Sequence, residues 1–211
     1  LVDQYGDSDE PSVGHRVMFF DIEVEVTDGF PDIEKAQNPI TSIALYDSMT
    51  EKYFTYVFDP KERLKNYSKD DQIVEFYSTE YEMLNKFYQK YLEIRPTIIS
   101  GWNSDFFDIP YLYNRAIRVL GANVASLLSP ISEINYSEFT KKHRIAGVSS
   151  LDYLLLYKQF TFTQQSSYRL DYIGQQEVGM KKVEYEGTLD DLYETDLQTC
   201  LLYTSPSPRD L

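Results

Sequence analysis

With 211 residues, 42% of them hydrophobic and 15% aromatic, the chain holds material for one sizeable domain with a substantial core. Its 34 acidic against 20 basic residues leave a formal charge of −14, which argues against nonspecific attraction to nucleic acid through a basic surface. No stretch is long and apolar enough to span a membrane, and none reads as a secretory signal.

The predicted elements follow in order. Residues 1–15, LVDQYGDSDEPSVGH, are acidic and rich in turn formers, and read as a linker; a chain that starts at Leu1 is expected to be a fragment. VMFFDIEVEV, residues 17–26, reads as a strand, with Phe20, Ile22, Val24 and Val26 on one face. ITSIALYD and KYFTYVF predict two further strands as a hairpin. Thr79 and Glu82 have capping-box spacing ahead of a helical stripe of Leu84, Phe87, Tyr88, Tyr91 and Leu92. TIISGW predicts a buried strand after Pro96. Ile109, Leu112, Tyr113, Ala116, Ile117 and Leu120 predict a second helix, stopped by Gly121. GVSSLDYLLLY reads as a strand running into a helix. This order predicts an α/β chain of the ribonuclease H-like type, a mixed sheet flanked by helices.

The first strand carries a chemical oddity. Asp21 and Glu23 alternate with its apolar residues, so they project together from the opposite face. Adjacent carboxylates repel one another and are costly to desolvate unless paired or bound to metal. A wet acidic face is one reading; a divalent-metal platform is the other. Asp108, before Ile109 and Pro110, reads by itself as a helix N-cap. Taken with Asp21 and Glu23 it would complete a carboxylate set for two divalent ions about 3.5–4 Å apart, and hard oxygen ligands suit Mg²⁺ or Mn²⁺.

These residues carry a resemblance. FFDIEVE resembles the first exonuclease motif, Asp-x-Glu, of family B DNA polymerases, and NSDFFD, residues 103–108, resembles the second. The wider text, including GWNSDFFDIPYLYNR and SLDYLLLYKQFTFTQQSSYRLDYIG, is similar to the replicative polymerases of T4-like bacteriophages over most of residues 17–198. The resemblance implies a proofreading 3′→5′ exonuclease domain over residues 16–199, within a DNA-directed DNA polymerase acting in the cytoplasm of an infected bacterium. Asp21, Glu23 and Asp108 would be catalytic and bind two Mg²⁺ or Mn²⁺ ions. Asn103 and Phe107 would contact substrate, the single-stranded 3′ end of a primer–template DNA. The remainder of the polymerase chain would be the other partner, with no membrane.

The third motif of that family, Tyr-x-x-x-Asp, is not met. Tyr193 and Asp196 are three apart rather than four, and Tyr203 is followed at that spacing by Ser207. The fragment is therefore expected to be nearly inactive. Residues 200–211, CLLYTSPSPRDL, resemble the in-frame translation of a transposon-type sequencing adapter and are expected to be a non-native tail. Setting them aside removes Cys200, the sole cysteine, and with it any thiol chemistry. His15 and His143 lack partners at zinc spacing. TKKHR, residues 140–144, is the densest basic cluster and falls where the family inserts a β-hairpin, a solvated tip being the other reading. A stand-alone DnaQ-type exonuclease would need a later His. An exonuclease-like binding module without catalysis is the alternative function.

Overall fold

In the computed structural model, which describes residues 14–26, 29–179 and Tyr193, nine strands form two sheets. The opening strand is β1 (Val17–Val24), and the expected hairpin is β2 (Ile40–Asp47) with β3 (Lys52–Phe58), antiparallel from Ser42↔Val57 to Asp47↔Lys52. β4 (Tyr67–Lys69) and β5 (Gln72–Tyr77) follow, then helix α1 (Glu80–Ile94), β6 (Ile98–Gly101) and helix α2 (Asp108–Leu120). After short helical turns at Ala122–Leu128 come β7 (Ile134–Ser137), β8 (Lys142–Ile145), β9 (Ser149–Asp152) and two eight-residue helices, Tyr153–Phe160 and Leu170–Glu177. The main sheet runs β4-β5-β3-β2-β1-β6-β9, and β7-β8 form a separate ribbon. β1 is antiparallel to β2 and parallel to β6, and β6 is parallel to β9. The result is the mixed, helix-flanked sheet expected of a ribonuclease H-like chain.

Local chemistry explains the boundaries. Thr79 caps α1 as its spacing predicts: its hydroxyl accepts from the Glu82 N–H at 3.2 Å and donates to the Glu82 carboxylate at 2.9 Å. Gly121, at φ 91°, ends α2. The core lies between α1, α2 and one sheet face, where Phe20, Ile22, Ile43, Leu45, Tyr56, Met83, Leu84, Phe87, Ile109 and Leu112 are buried.

Three expectations shift. β1 ends at Val24, and Val26 is exposed. Leu92 and Ile117 lie at the edges of their helical stripes and are exposed, whereas Tyr111 is wholly buried. The β4–β5 hairpin was not predicted, because β4 is short and exposed, β5 is mostly half-buried, and their order comes from β5 pairing with β3 and β4 with β5. Residues 1–13 of the linker predicted over 1–15, and the whole tail over 200–211, lie outside the described residues, as do Asp196, Tyr203 and Ser207.

One core residue is frustrated. Tyr56 is 1% exposed, and among the described residues its hydroxyl has no hydrogen-bond partner. Burial is the main cause that pushes the phenol far above its ordinary range. A buried, unsatisfied hydroxyl is destabilising, and phenylalanine fills the same volume without it. Tyr56→Phe is therefore expected to stabilise the protein by up to about 1 kcal/mol, read as a higher melting temperature; a loss above about 1 kcal/mol would reveal a partner for the hydroxyl.

Candidate functional site

Because β1, β6 and β9 are mutually parallel, their C-terminal ends meet at one edge of the sheet, where open α/β sheets commonly place their sites. Asp21 and Glu23 lie near that end of β1, Asp21 exposed and Glu23 half-buried, alternating with buried Phe20, Ile22 and Val24. Across β2 their partners are small, Ala44 opposite Asp21 and Ser42 opposite Glu23. The pairing then slips by one residue between Glu23 and Val24, leaving Thr41 bulged, with its hydroxyl donating to the Glu23 carbonyl at 3.2 Å. Such a bulge bends the strand that carries it and increases its twist at this end of the sheet.

β6 approaches β1 so closely that Gly101 is required. A Cβ there would lie 2.6 Å from the Phe20 carbonyl oxygen and 2.9 Å from the Ser104 Cβ. The chain then turns through Asn103, whose φ of 66° is one that asparagine tolerates. The Asn103 carbonyl accepts from the N–H groups of Phe106 and Phe107, and the Ser104 carbonyl from that of Ile109. This turn launches α2, with Pro110 in the first turn, where no N–H is needed.

Asp108 does not cap its own helix, as the N-cap reading would have it; the cap position is Phe107. Its carboxylate instead reaches β1 and accepts from the Ile22 N–H at 3.1 Å, beyond the last β1–β6 pair. Asp108 is 3% exposed. Burial holds its carboxyl well above the ordinary range, and the charges of Asp21 and then Glu23 push it the same way, against hydrogen bonds from the Ile22 and Asp108 N–H groups. The three acids of the sequence reading are thus within electrostatic reach of one another. Among the described residues, however, no group of three or more His, Cys, Asp or Glu side chains is gathered tightly enough to enclose a metal ion. The donor set suits a hard divalent cation in kind: oxygen ligands only, with repulsion that a cation would neutralise.

Of the other predicted residues, Phe107 is half-buried and packs 5.3 Å from Phe30 and 5.7 Å from Tyr111 between ring centres. Phe30 is 78% exposed and was not singled out by the sequence. Its loop is held by one face of α2: Tyr111 Oη donates to the Asn38 carbonyl, Asn114 Nδ2 to that of Ile33, and Arg115 to those of Ala36 and Gln37. His15 contacts Thr97 at the opening of the described chain, and His143 lies between Tyr113 and Tyr136. Tyr193 packs on Val57 and Val74, with its hydroxyl donating to the Phe58 carbonyl and its carbonyl accepting from Arg63. By register it shares a sheet face with Asp21 and Glu23 but stands over β3 and β5.

Asp152 was missed. Buried at 3% exposure, it accepts four backbone N–H groups: those of Leu154 and Leu155 in its own helix, that of Asn103 at 3.2 Å and that of Asp105 at 3.1 Å. Its signal in the sequence was ordinary, an Asp at a strand-to-helix junction. Asp152→Ala is expected to cost about 3 kcal/mol, with faster amide hydrogen exchange at residues 103–105. Exchange there at the wild-type rate would remove Asp152 from the support of this turn.

Residues 3–173 match the family model for the exonuclease domain of DNA polymerase family B. The chain belongs to that family. Its exonuclease domains are metal-dependent nucleases. The chain is also similar to the DNA-directed DNA polymerase of Escherichia phage RB69, 34% identical over 217 residues, and to that of Enterobacteria phage T4, 33% identical over 222. Each match covers 89% of this chain and 24% of the phage protein. A DNA polymerase 1 of Sulfurisphaera ohwakuensis is 28% identical over 204 residues, covering 94% of this chain and 22% of the relative. The chain thus spans about a quarter of the length of these relatives.

Proposed function

We propose that this chain is the proofreading domain of a DNA-directed DNA polymerase, and that it removes the 3′-terminal nucleotide of DNA by hydrolysis. The observation that carries the reading is the burial of Asp108 in the field of Asp21 and Glu23, at the C-terminal ends of the parallel strands. Asp21, Glu23 and Asp108 would hold two divalent ions, Mg²⁺ or Mn²⁺, which supply Lewis acidity toward a phosphodiester and its attacking water. The chain's own residues do the rest. The Ile22 N–H orients the Asp108 carboxylate, the Asn103 turn fixes where α2 begins, and Phe107 with exposed Phe30 offers aromatic surface for an unpaired 3′ base.

The Tyr-x-x-x-Asp spacing of the third motif is not met among these 211 residues, so their hydrolysis is slow. In this reading residues 16–199 are the exonuclease domain, the single-stranded 3′ end of a primer–template is the substrate, the remainder of the polymerase is the partner, and the host cytoplasm is the setting. Among the described residues no helix is long and apolar enough to cross a membrane.

The test is a 5′-labelled single-stranded oligonucleotide incubated with excess protein and Mn²⁺. Slow stepwise shortening from the 3′ end, lost in Asp21→Ala, is the expected result. Shortening that Asp21→Ala leaves unchanged would overturn the assignment.

A further inference from the structure

Asp105 lies three residues before Asp108, in the turn that launches α2, and is 7% exposed. Its carboxylate is engaged from two other elements. The Ser150 hydroxyl of β9 donates to Oδ1, and the Lys142 ammonium of β8 donates to Oδ2 at 2.6 Å. The same ammonium sits 4.9 Å from the centre of the Phe106 ring. One lysine therefore grips two consecutive residues of the turn, and it comes from the ribbon that stands outside the main sheet.

The rest of the ribbon shows how specific this tie is. Lys141, its neighbour in the basic cluster, pairs within the ribbon with Glu138. Phe139 at the tip is almost fully exposed. Next to Lys142, His143 rests against Tyr113 of α2, so the strand that carries the lysine is seated on the same helix that Asp108 opens. Without the ammonium, a buried Asp105 carboxylate would keep a hydroxyl as its side-chain partner, and the turn would have to open to hydrate the charge. Asp105 is bonded through its N–H to Asp152, and the turn's carbonyls hold the first N–H groups of α2, so such an opening reaches Asp108.

We propose that Lys142 is a positioning residue, holding Asp105 so that the β7–β8 ribbon fixes the place of Asp108 and with it the affinity of the carboxylate site for divalent cations. This rests on the reading of Asp21, Glu23 and Asp108 as metal ligands. Simple electrostatics makes the opposite prediction, since removing a positive charge near the site would favour a cation.

The experiment compares the wild-type chain with Lys142→Met and Lys142→Arg. Mn²⁺ binding is read from the electron paramagnetic resonance signal of free Mn²⁺, and amide hydrogen exchange is followed at residues 105–109 and in the β2–β3 ladder. Lys142→Met is expected to weaken Mn²⁺ binding about 10-fold, the size of effect typical of residues that orient ligands. Exchange at 105–109 should quicken by a similar factor while the β2–β3 ladder keeps its wild-type protection. Lys142→Arg, which retains charge and ring contact, should restore both. Tighter Mn²⁺ binding in Lys142→Met, or unchanged exchange at 105–109, would overturn the proposal. If the wild-type chain binds no Mn²⁺, the metal reading itself fails, and the exchange comparison alone decides whether Lys142 holds the turn.

Discussion

Asp108→Asn is expected to raise the melting temperature of the metal-free protein at pH 7 by roughly 3–8 °C, about 1–2 kcal/mol for a domain of this size, while removing its response to Mn²⁺. The reason is electrostatic. Asp108 is buried beside Asp21 and Glu23, and burial, then those two charges, hold its carboxyl well above the usual range. Asparagine keeps an oxygen for the Ile22 N–H and carries no charge. The sign with pH follows from linkage. A carboxyl whose pKa is higher in the folded state binds its proton more tightly there, so ionising it opposes folding. That penalty is absent below the unfolded value near 4 and grows as pH rises toward the folded one. The advantage of Asp108→Asn should therefore shrink as pH falls toward about 4. With saturating Mn²⁺ the order should invert, the wild type becoming the more stable protein. Equal melting temperatures at pH 7 without metal would mean that Asp108 carries no such penalty.

Arg115→Ala is expected to cost about 3–5 kcal/mol, seen as a drop of about 10–15 °C in melting temperature. Arg115 grips Glu80 through two parallel hydrogen bonds, Nε to Oε1 at 2.8 Å and Nη2 to Oε2 at 2.6 Å. Glu80 is 9% exposed and also accepts from the Ile40 N–H at 2.8 Å. The arginine's remaining nitrogen donates to the Ala36 and Gln37 carbonyls. One ion pair thus joins the start of α1, the face of α2, the beginning of β2 and the loop that carries Phe30. Truncating the arginine strands a buried carboxylate, and that, more than the lost attraction, sets the cost. Removing both charges is a different matter. The double variant Glu80→Gln/Arg115→Met keeps an acceptor for Ile40 and should recover more than half of the loss in urea unfolding. A double variant as unstable as Arg115→Ala would mean that the contacts to Ala36 and Gln37, rather than the stranded charge, carry the energy.

What the sequence disclosed, and what it withheld, divides along the range of the interactions. The alternation of Asp21 and Glu23 with Phe20 and Ile22, the Thr79–Glu82 box and the Gly121 stop are local, and each stands where its spacing puts it. Asp108 was read from a motif and from its junction with a helix. Its actual partner, the Ile22 N–H, lies 86 residues away, and only the end of the β1–β6 pairing leaves that N–H to it. Asp152 was passed over because a capping Asp is common, and the two N–H groups that distinguish it belong to a turn about 50 residues earlier. Glu80 is one acid among several in sequence, and only Arg115, 35 residues on, makes it a buried partner. The β4–β5 hairpin and the bulge at Thr41 escaped for a related reason: neither has a hydrophobic rhythm of its own, and both are set by pairing with a neighbouring strand.

The most direct test of the central claim, that Asp21, Glu23 and Asp108 together bind divalent metal, is the melting temperature of the chain across a Mn²⁺ titration beside that of Asp21→Ala. Metal binding by these three acids predicts a rise that grows with the logarithm of Mn²⁺ concentration above the dissociation constant and is lost in Asp21→Ala. No rise in the wild-type chain, or the same rise in both proteins, would contradict it.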